Sequence, residues 1–82
     1  MMPLYGFMEG DTLGLLILAH EEDRVSELAE KLCAAAAVRV RRPSGELKVI
    51  HQRRELDPSL TLVQAGLTAL ERFDVRTVER EG

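Results

Sequence analysis

The chain has 82 residues, of which 45% are hydrophobic and 30% charged, with a formal net charge of −3. That length holds one domain, and one of this size buries only about 60% of the surface its unfolded chain exposes, so reliance on a partner is physically reasonable. The acidic balance excludes a surface built to attract phosphate backbones.

The first strand is expected over Leu4–Met8, with Tyr5 and Phe7 on one face. Glu9, Gly10 and Asp11 carry turn chemistry, and Thr12–Ala19 reads as a second strand, hairpin-paired with the first. Leu13, Leu15 and Ile17 are expected on one side of it and Leu16 and Leu18 on the other.

Asp23 is placed to cap the following helix, since a short carboxylate accepts hydrogen bonds from its free first-turn amides. Val25, Leu28, Ala29, Leu32 and Ala36 recur at helical spacing as one buried stripe, and Glu27 and Lys31 stand at i,i+4 in the favourable orientation. The helix is expected to end at Ala36 or Ala37.

Val38–Arg42 is open between loop and strand, and Pro43, Ser44 and Gly45 form a turn. Glu46–His51 reads as the third strand, with Leu47 and Val49 on one face and Lys48 and Ile50 on the other. Glu55 and Leu56 form a very short strand. Thr61–Ala65 is a helical turn closed by Gly66, and Phe73–Val78 is the last strand. A hairpin, a helix and further strands in this order make a mixed sheet with one face covered, an α+β fold of the β-grasp arrangement.

Glu55-Leu56-Asp57-Pro58-Ser59-Leu60-Thr61-Leu62, then Ala65-Gly66-Leu67 and Phe73-Asp74-Val75, is similar to the closing pattern of ubiquitin-like domains. Within that fold the chain resembles the gamma subunits of bacterial toluene monooxygenase hydroxylases, the system protein B family. The resemblance lies in the apolar hairpin and acidic turn, in Glu27-Leu28-Ala29-Glu30-Lys31-Leu32, and in the close Glu55-Leu56, Pro58, Leu60-Thr61-Leu62, Gly66-Leu67, Asp74-Val75. It implies a noncatalytic subunit, residues 1–82 as one ubiquitin-like domain, beside a large subunit that holds the diiron site; this chain itself would carry no cofactor.

The residues add no catalytic constellation of their own. His20 and His51 are the only histidines and lack the spacing of a helical metal motif, which leaves them as surface or edge residues. Cys33 is alone, so it has no disulfide partner, and its place on the helix beside Leu32 fits a packed core thiol. One Tyr and two Phe, not interleaved with the middle arginines, speak against nucleic-acid binding. No apolar run reaches the ~18 residues of a membrane span, and no basic-then-apolar leader opens the sequence. A cytoplasmic protein is expected.

A one-helix sheet needs a single apolar face, yet the second strand carries leucines on both. Leu16 and Leu18, with Ile50, are therefore candidates for a patch buried against a partner, and Arg39, Arg41 and Arg42 for its charged complement. Two alternatives stay open: a free-standing ubiquitin-like adaptor, as in a bacterial secretion system, and a sulfur carrier acting through the tail Arg80-Glu81-Gly82.

Overall fold

The computed structural model describes residues 1–41 and 44–78; Arg42, Pro43 and the tail that ends in Gly82 lie outside the described residues. The elements are β1 (Met2–Met8), β2 (Gly14–Ala19), α1 (Val25–Ala36), β3 (Glu46–His51), β4 (Arg54–Glu55) and β5 (Arg72–Val78). The strands form one five-stranded sheet in the order β2-β1-β5-β3-β4. β1 runs antiparallel to β2 and parallel to β5, and β3 is antiparallel to both β5 and β4. This is the mixed α+β sheet of a ubiquitin-like β-grasp.

Some boundaries differ from expectation. β1 starts at Met2, which pairs with Ala19 and is buried. β2 starts at Gly14, because the Asp11 carboxylate accepts the Leu13 N–H at 3.1 Å and holds that stretch in the turn. Leu13 consequently points into solvent, 55% exposed, and not inward with Leu15 and Ile17. β4 is Arg54–Glu55 in place of Glu55–Leu56; Leu56 turns toward the core, and its N–H donates to the Val49 carbonyl at 2.8 Å.

The helix start departs most from expectation. Its N-cap is Arg24, in an extended conformation, and the Glu27 carboxylate accepts the Arg24 N–H at 3.3 Å. The Asp23 carboxylate turns back instead, accepting from the His20 N–H at 3.0 Å and from Lys31 at 2.9 Å. These bonds, the His20 N–H first and Lys31 next, hold its pKa below the ordinary carboxylate value. Lys31 is thereby drawn to Asp23, not to Glu27 as its spacing predicts.

First-turn amides have no partner within a helix. Here a distant loop supplies them: Val25 N–H donates to the Leu60 carbonyl at 2.8 Å and Ser26 N–H to the Pro58 carbonyl at 3.1 Å. The Arg24 guanidinium donates to the Ser59 carbonyl, and Leu62 N–H returns a bond to the Asp23 carbonyl at 2.8 Å. A backbone clamp thus stands where a side-chain cap was expected. After α1, residues 37–41 form a turn and loop with no strand, and Val38 is fully outside the core.

The predicted helical stripe, Val25, Leu28, Ala29, Leu32 and Ala36, is buried throughout, and Cys33 joins it as a core thiol with its sulfur 3.9 Å from that of Met8. The inner sheet face supplies Leu4, Ile17, Val49, Phe73 and Val75. Leu62 and Leu67 close the core from below the helix. Between them Thr61 and Gln64 exchange backbone-to-side-chain bonds (2.9 and 3.2 Å), making a turn that ends at Gly66 with φ 84°. That left-handed conformation is the one a glycine accepts without strain. Among the described residues no helix is long and apolar enough to cross a membrane.

Helix and sheet side chains pack tightly over Gly6. A Cβ there would meet Phe73 Cζ at 2.6 Å and Leu32 Cδ1 at 2.9 Å, and both side chains are fully buried, with little room to give. Gly6→Ala is expected to destabilise the fold by about 1–3 kcal/mol, the usual range for overpacking. Urea unfolding measures it; an unchanged midpoint would show that the core yields here.

Candidate partner-binding face

Because α1 covers one side of the sheet, alternate strand residues face the other side. Pro3, Tyr5 and Phe7 of β1 lie opposite Leu18, Leu16 and Gly14 of β2. Tyr5 and Phe7 also neighbour Arg72 and Asp74 of β5, and across β5 Asp74 and Arg76 neighbour Ile50 and Lys48 of β3. Leu16 is 56% exposed, Leu18 53% and Tyr5 44%. Leu16 and Leu18 therefore point outward, as the alternation predicts, and no described loop folds back to cover them.

The expected single patch is divided. Ile50 shares the outer face with Leu16 and Leu18, but β1 and β5 lie between. At a strand spacing of about 4.8 Å the separation is roughly 14 Å. One half of the face, β2 and β1, is apolar; the other, β5 and β3, is mostly charged. At the seam the Arg72 guanidinium lies 4.0 Å over the Phe7 ring while donating to Asp74 at 2.9 and 3.4 Å. The Phe7 ring itself covers Gly14.

The basic residues of the middle segment do not join this face as one cluster. Arg39 is engaged by the Asp11 carboxylate in the β1–β2 turn, tying the end of the helix to the first hairpin. The Leu13 N–H, and then Arg39, hold the Asp11 carboxyl below its ordinary value. Arg41 is exposed in the loop, and Arg42 lies outside the described residues. Tyr5, Phe7, Arg72 and Arg76 complete the face. The alternation of Pro3, Tyr5 and Phe7 with Leu4, Gly6 and Met8 was a usable signal for the first two. Nothing local marks Arg72 or Arg76, which belong here only through the pairing of β5.

Between β3, β5 and the β3–β4 turn lies a cleft of about 370 Å³, lined by Ile50, Arg53, Arg72 and Arg76, with His51 and Glu71 at its end. His51 is neither the surface nor the edge residue expected: it is 7% exposed, on the inner side of β3, which lies between β5 and β4. Its Nε2 lies 2.9 Å from a Glu71 carboxylate oxygen that Gln52 also approaches at 3.4 Å. The other Glu71 oxygen accepts the Thr68 O–H at 2.6 Å and N–H at 2.7 Å. This network ties the strand before the turn to the strand after the loop. Among the described residues no three of His, Cys, Asp and Glu gather as a metal site would need.

The Thr68 hydroxyl, His51 and the Thr68 N–H together lower the Glu71 pKa from 4.5 to about 2. In this window the unfolded chain binds the proton more readily than the folded one, so the contribution is complete above about pH 4.5 and is lost as pH falls through about 2. Glu71→Gln is expected to flatten the dependence of unfolding free energy on pH over that window. Parallel slopes for the two proteins in urea titrations at several pH values would refute this role for Glu71.

Structures with this geometry are known. The chain of a toluene 4-monooxygenase HD complex with the inhibitor 4-bromobenzoate superposes with a TM-score of 0.84 at 26% identity, covering 90% of this chain and 94% of that one. The EccD5 ubiquitin-like domain from Mycobacterium xenopi matches with a TM-score of 0.79 at 12% identity, covering 98% and 97% of the two chains. A ubiquitin from Caldiarchaeum subterraneum matches with a TM-score of 0.73 at 18% identity, covering 99% and 98%. The last two likenesses show the fold alone. No curated protein sequence matches significantly. A family model described as toluene-4-monooxygenase system protein B matches residues 1–76, and the chain belongs to that family.

Proposed function

We propose that this chain is the small, gamma-like, noncatalytic subunit of a bacterial multicomponent diiron monooxygenase hydroxylase, acting in the cytoplasm by contact with the large subunit. Family membership over residues 1–76 carries this reading. It is joined by likeness over nearly the full length to a chain of the toluene 4-monooxygenase HD complex. The diiron centre, the substrate pocket and the oxygen chemistry belong to the large subunit in this reading, and no chemical step passes through this chain. Its own residues supply a surface: Leu16, Leu18 and Tyr5 form an apolar strip, and Ile50 with the β5 arginines forms its charged flank.

Burying such a strip against a partner is favourable because apolar area leaves water, and side chains central to an interface often contribute more than 1 kcal/mol each. The face is independent of the core, so it can be altered without unfolding the domain.

Two measurements test the reading. A tagged copy captured from its native host is expected to bring down a large iron-containing hydroxylase subunit in matching amount. Leu16→Asp with Leu18→Asp is expected to reduce that recovery about tenfold or more while leaving the unfolding midpoint nearly unchanged. Capture of the wild-type chain without a hydroxylase subunit would sink the assignment. Full recovery with the folded double variant would move the contact elsewhere on the surface.

A further inference from the structure

The cleft at the charged half of the outer face has features that the fold does not use. The β3–β4 connection is a two-residue hairpin turn, Gln52 and Arg53, and both residues are left-handed, with φ 51° and 67°. Such turns favour Asn and Gly, because a side chain at positive φ is sterically strained. Gln52 has a use inside the chain, through its approach to Glu71. Arg53 has none: it is exposed and makes no hydrogen bond or ion pair among the described residues, yet it lines the cleft.

Arg76 is in the same position. It sits on β5 directly opposite Lys48, a like-charge pairing that disfavours the sheet. The carboxylates nearby are committed elsewhere. Asp74 is held by Arg72, and Glu46 and Glu55 each lie 3.4 Å from Lys48. Among the described residues Arg76 has no ion pair of its own. Two unpaired guanidinium groups therefore converge on one concavity, with the partly buried Ile50 on its wall. A guanidinium presents a planar fork of donors that matches a carboxylate, and a strained or repelled position is retained where its side chain is needed.

We infer that this cleft docks an acidic segment of the partner protein, with an Asp or Glu carboxylate held between Arg53 and Arg76 and an adjacent apolar side chain resting on Ile50. The inference rests on the function proposed above and adds the chemistry of the segment that is recognised. Charge complementarity selects this occupant: the cleft offers free donors and an apolar wall, and its two acids already have partners within the chain. The docking site extends the apolar strip of β1 and β2 across the seam at Arg72, so that one partner surface spans both halves of the face.

The experiment measures binding of the purified large hydroxylase subunit to this chain by titration calorimetry at about 50 mM and about 300 mM salt. The unchanged chain is compared with Arg53→Glu/Arg76→Glu and with Arg53→Lys/Arg76→Lys. Far-ultraviolet circular dichroism and melting confirm that each variant is folded. The glutamate pair is expected to bind about tenfold or more weakly at low salt and to lose most of the salt dependence, and the lysine pair to retain part of both. Equal affinity and equal salt dependence for the folded glutamate pair and the unchanged chain would overturn the acidic-segment site while leaving the subunit assignment intact. Failure of the unchanged chain to bind the large subunit would overturn both. Binding weakened equally by the lysine and glutamate pairs, with no change in salt dependence, would also overturn the carboxylate clamp, since it would trace the effect to packing.

Discussion

The Phe73 ring and the Leu32 side chain meet over Gly6, and this close approach governs how near the helix lies to the sheet. It requires a residue without a Cβ in the middle of β1, on the inner face. Once Gly6 faces inward, the period of two places Leu4 and Met8 beside it and turns Pro3, Tyr5 and Phe7 to the opposite side. The pairing of β1 with β2 then turns Leu16 and Leu18 the same way, and its pairing with β5 does so for Arg72, Asp74 and Arg76. The outer face is thus a consequence of core packing. A slip of one residue would exchange the two sets, burying arginines and exposing Leu4 and Phe73.

The helix is held at its N-terminal end by a different device. Its first amides are satisfied by the carbonyls of Pro58 and Leu60, and Leu62 bonds back to Asp23. This clamp brings the long connection between β4 and β5 under the helix, where Leu62 and Leu67 fill the base of the core. The Glu71 network with His51 and Thr68 secures the same connection at its other end. A domain with a small core gains much of its definition from such ties, since each fixes a loop that burial alone would leave loosely specified.

Fold and function stand in a simple relation here. The core and most of the ties occupy the inner face and the loops. Among the described residues the outer face carries the Arg72–Asp74 pair, the Lys48 pairs with Glu46 and Glu55, and the cover of Phe7 over Gly14, and leaves Leu16, Leu18 and Tyr5 to solvent. A surface of that kind can diverge to suit a partner without disturbing the domain. The shared fold with a ubiquitin and with the EccD5 domain, at 18% and 12% identity, is consistent with one scaffold presenting different surfaces.

Much of this was legible in the residues themselves. The stripe of Val25, Leu28, Ala29, Leu32 and Ala36 determined the helix and its buried side, because a 3.6-residue period needs no tertiary context. Alternation alone determined the outward direction of Leu16, Leu18 and Ile50; the run from Glu55 to Val75 carried the ubiquitin-like fold, and with the apolar hairpin, the acidic turn and Glu27–Leu32 it carried the family. What the sequence could not decide is which polar groups meet. Asp23 was equally suited to capping the helix or accepting from His20 and Lys31, and only the arrival of the Pro58–Leu60 carbonyls at the helix end settled the choice. His51 looked like a surface or edge residue until Glu71, far along the chain, supplied the partner that lets an imidazole be buried. Leu16 and Ile50 are separated, and Arg53 and Arg76 are brought together, by strand order, and strand order depends on non-local hydrogen bonds that leave no mark on neighbouring residues.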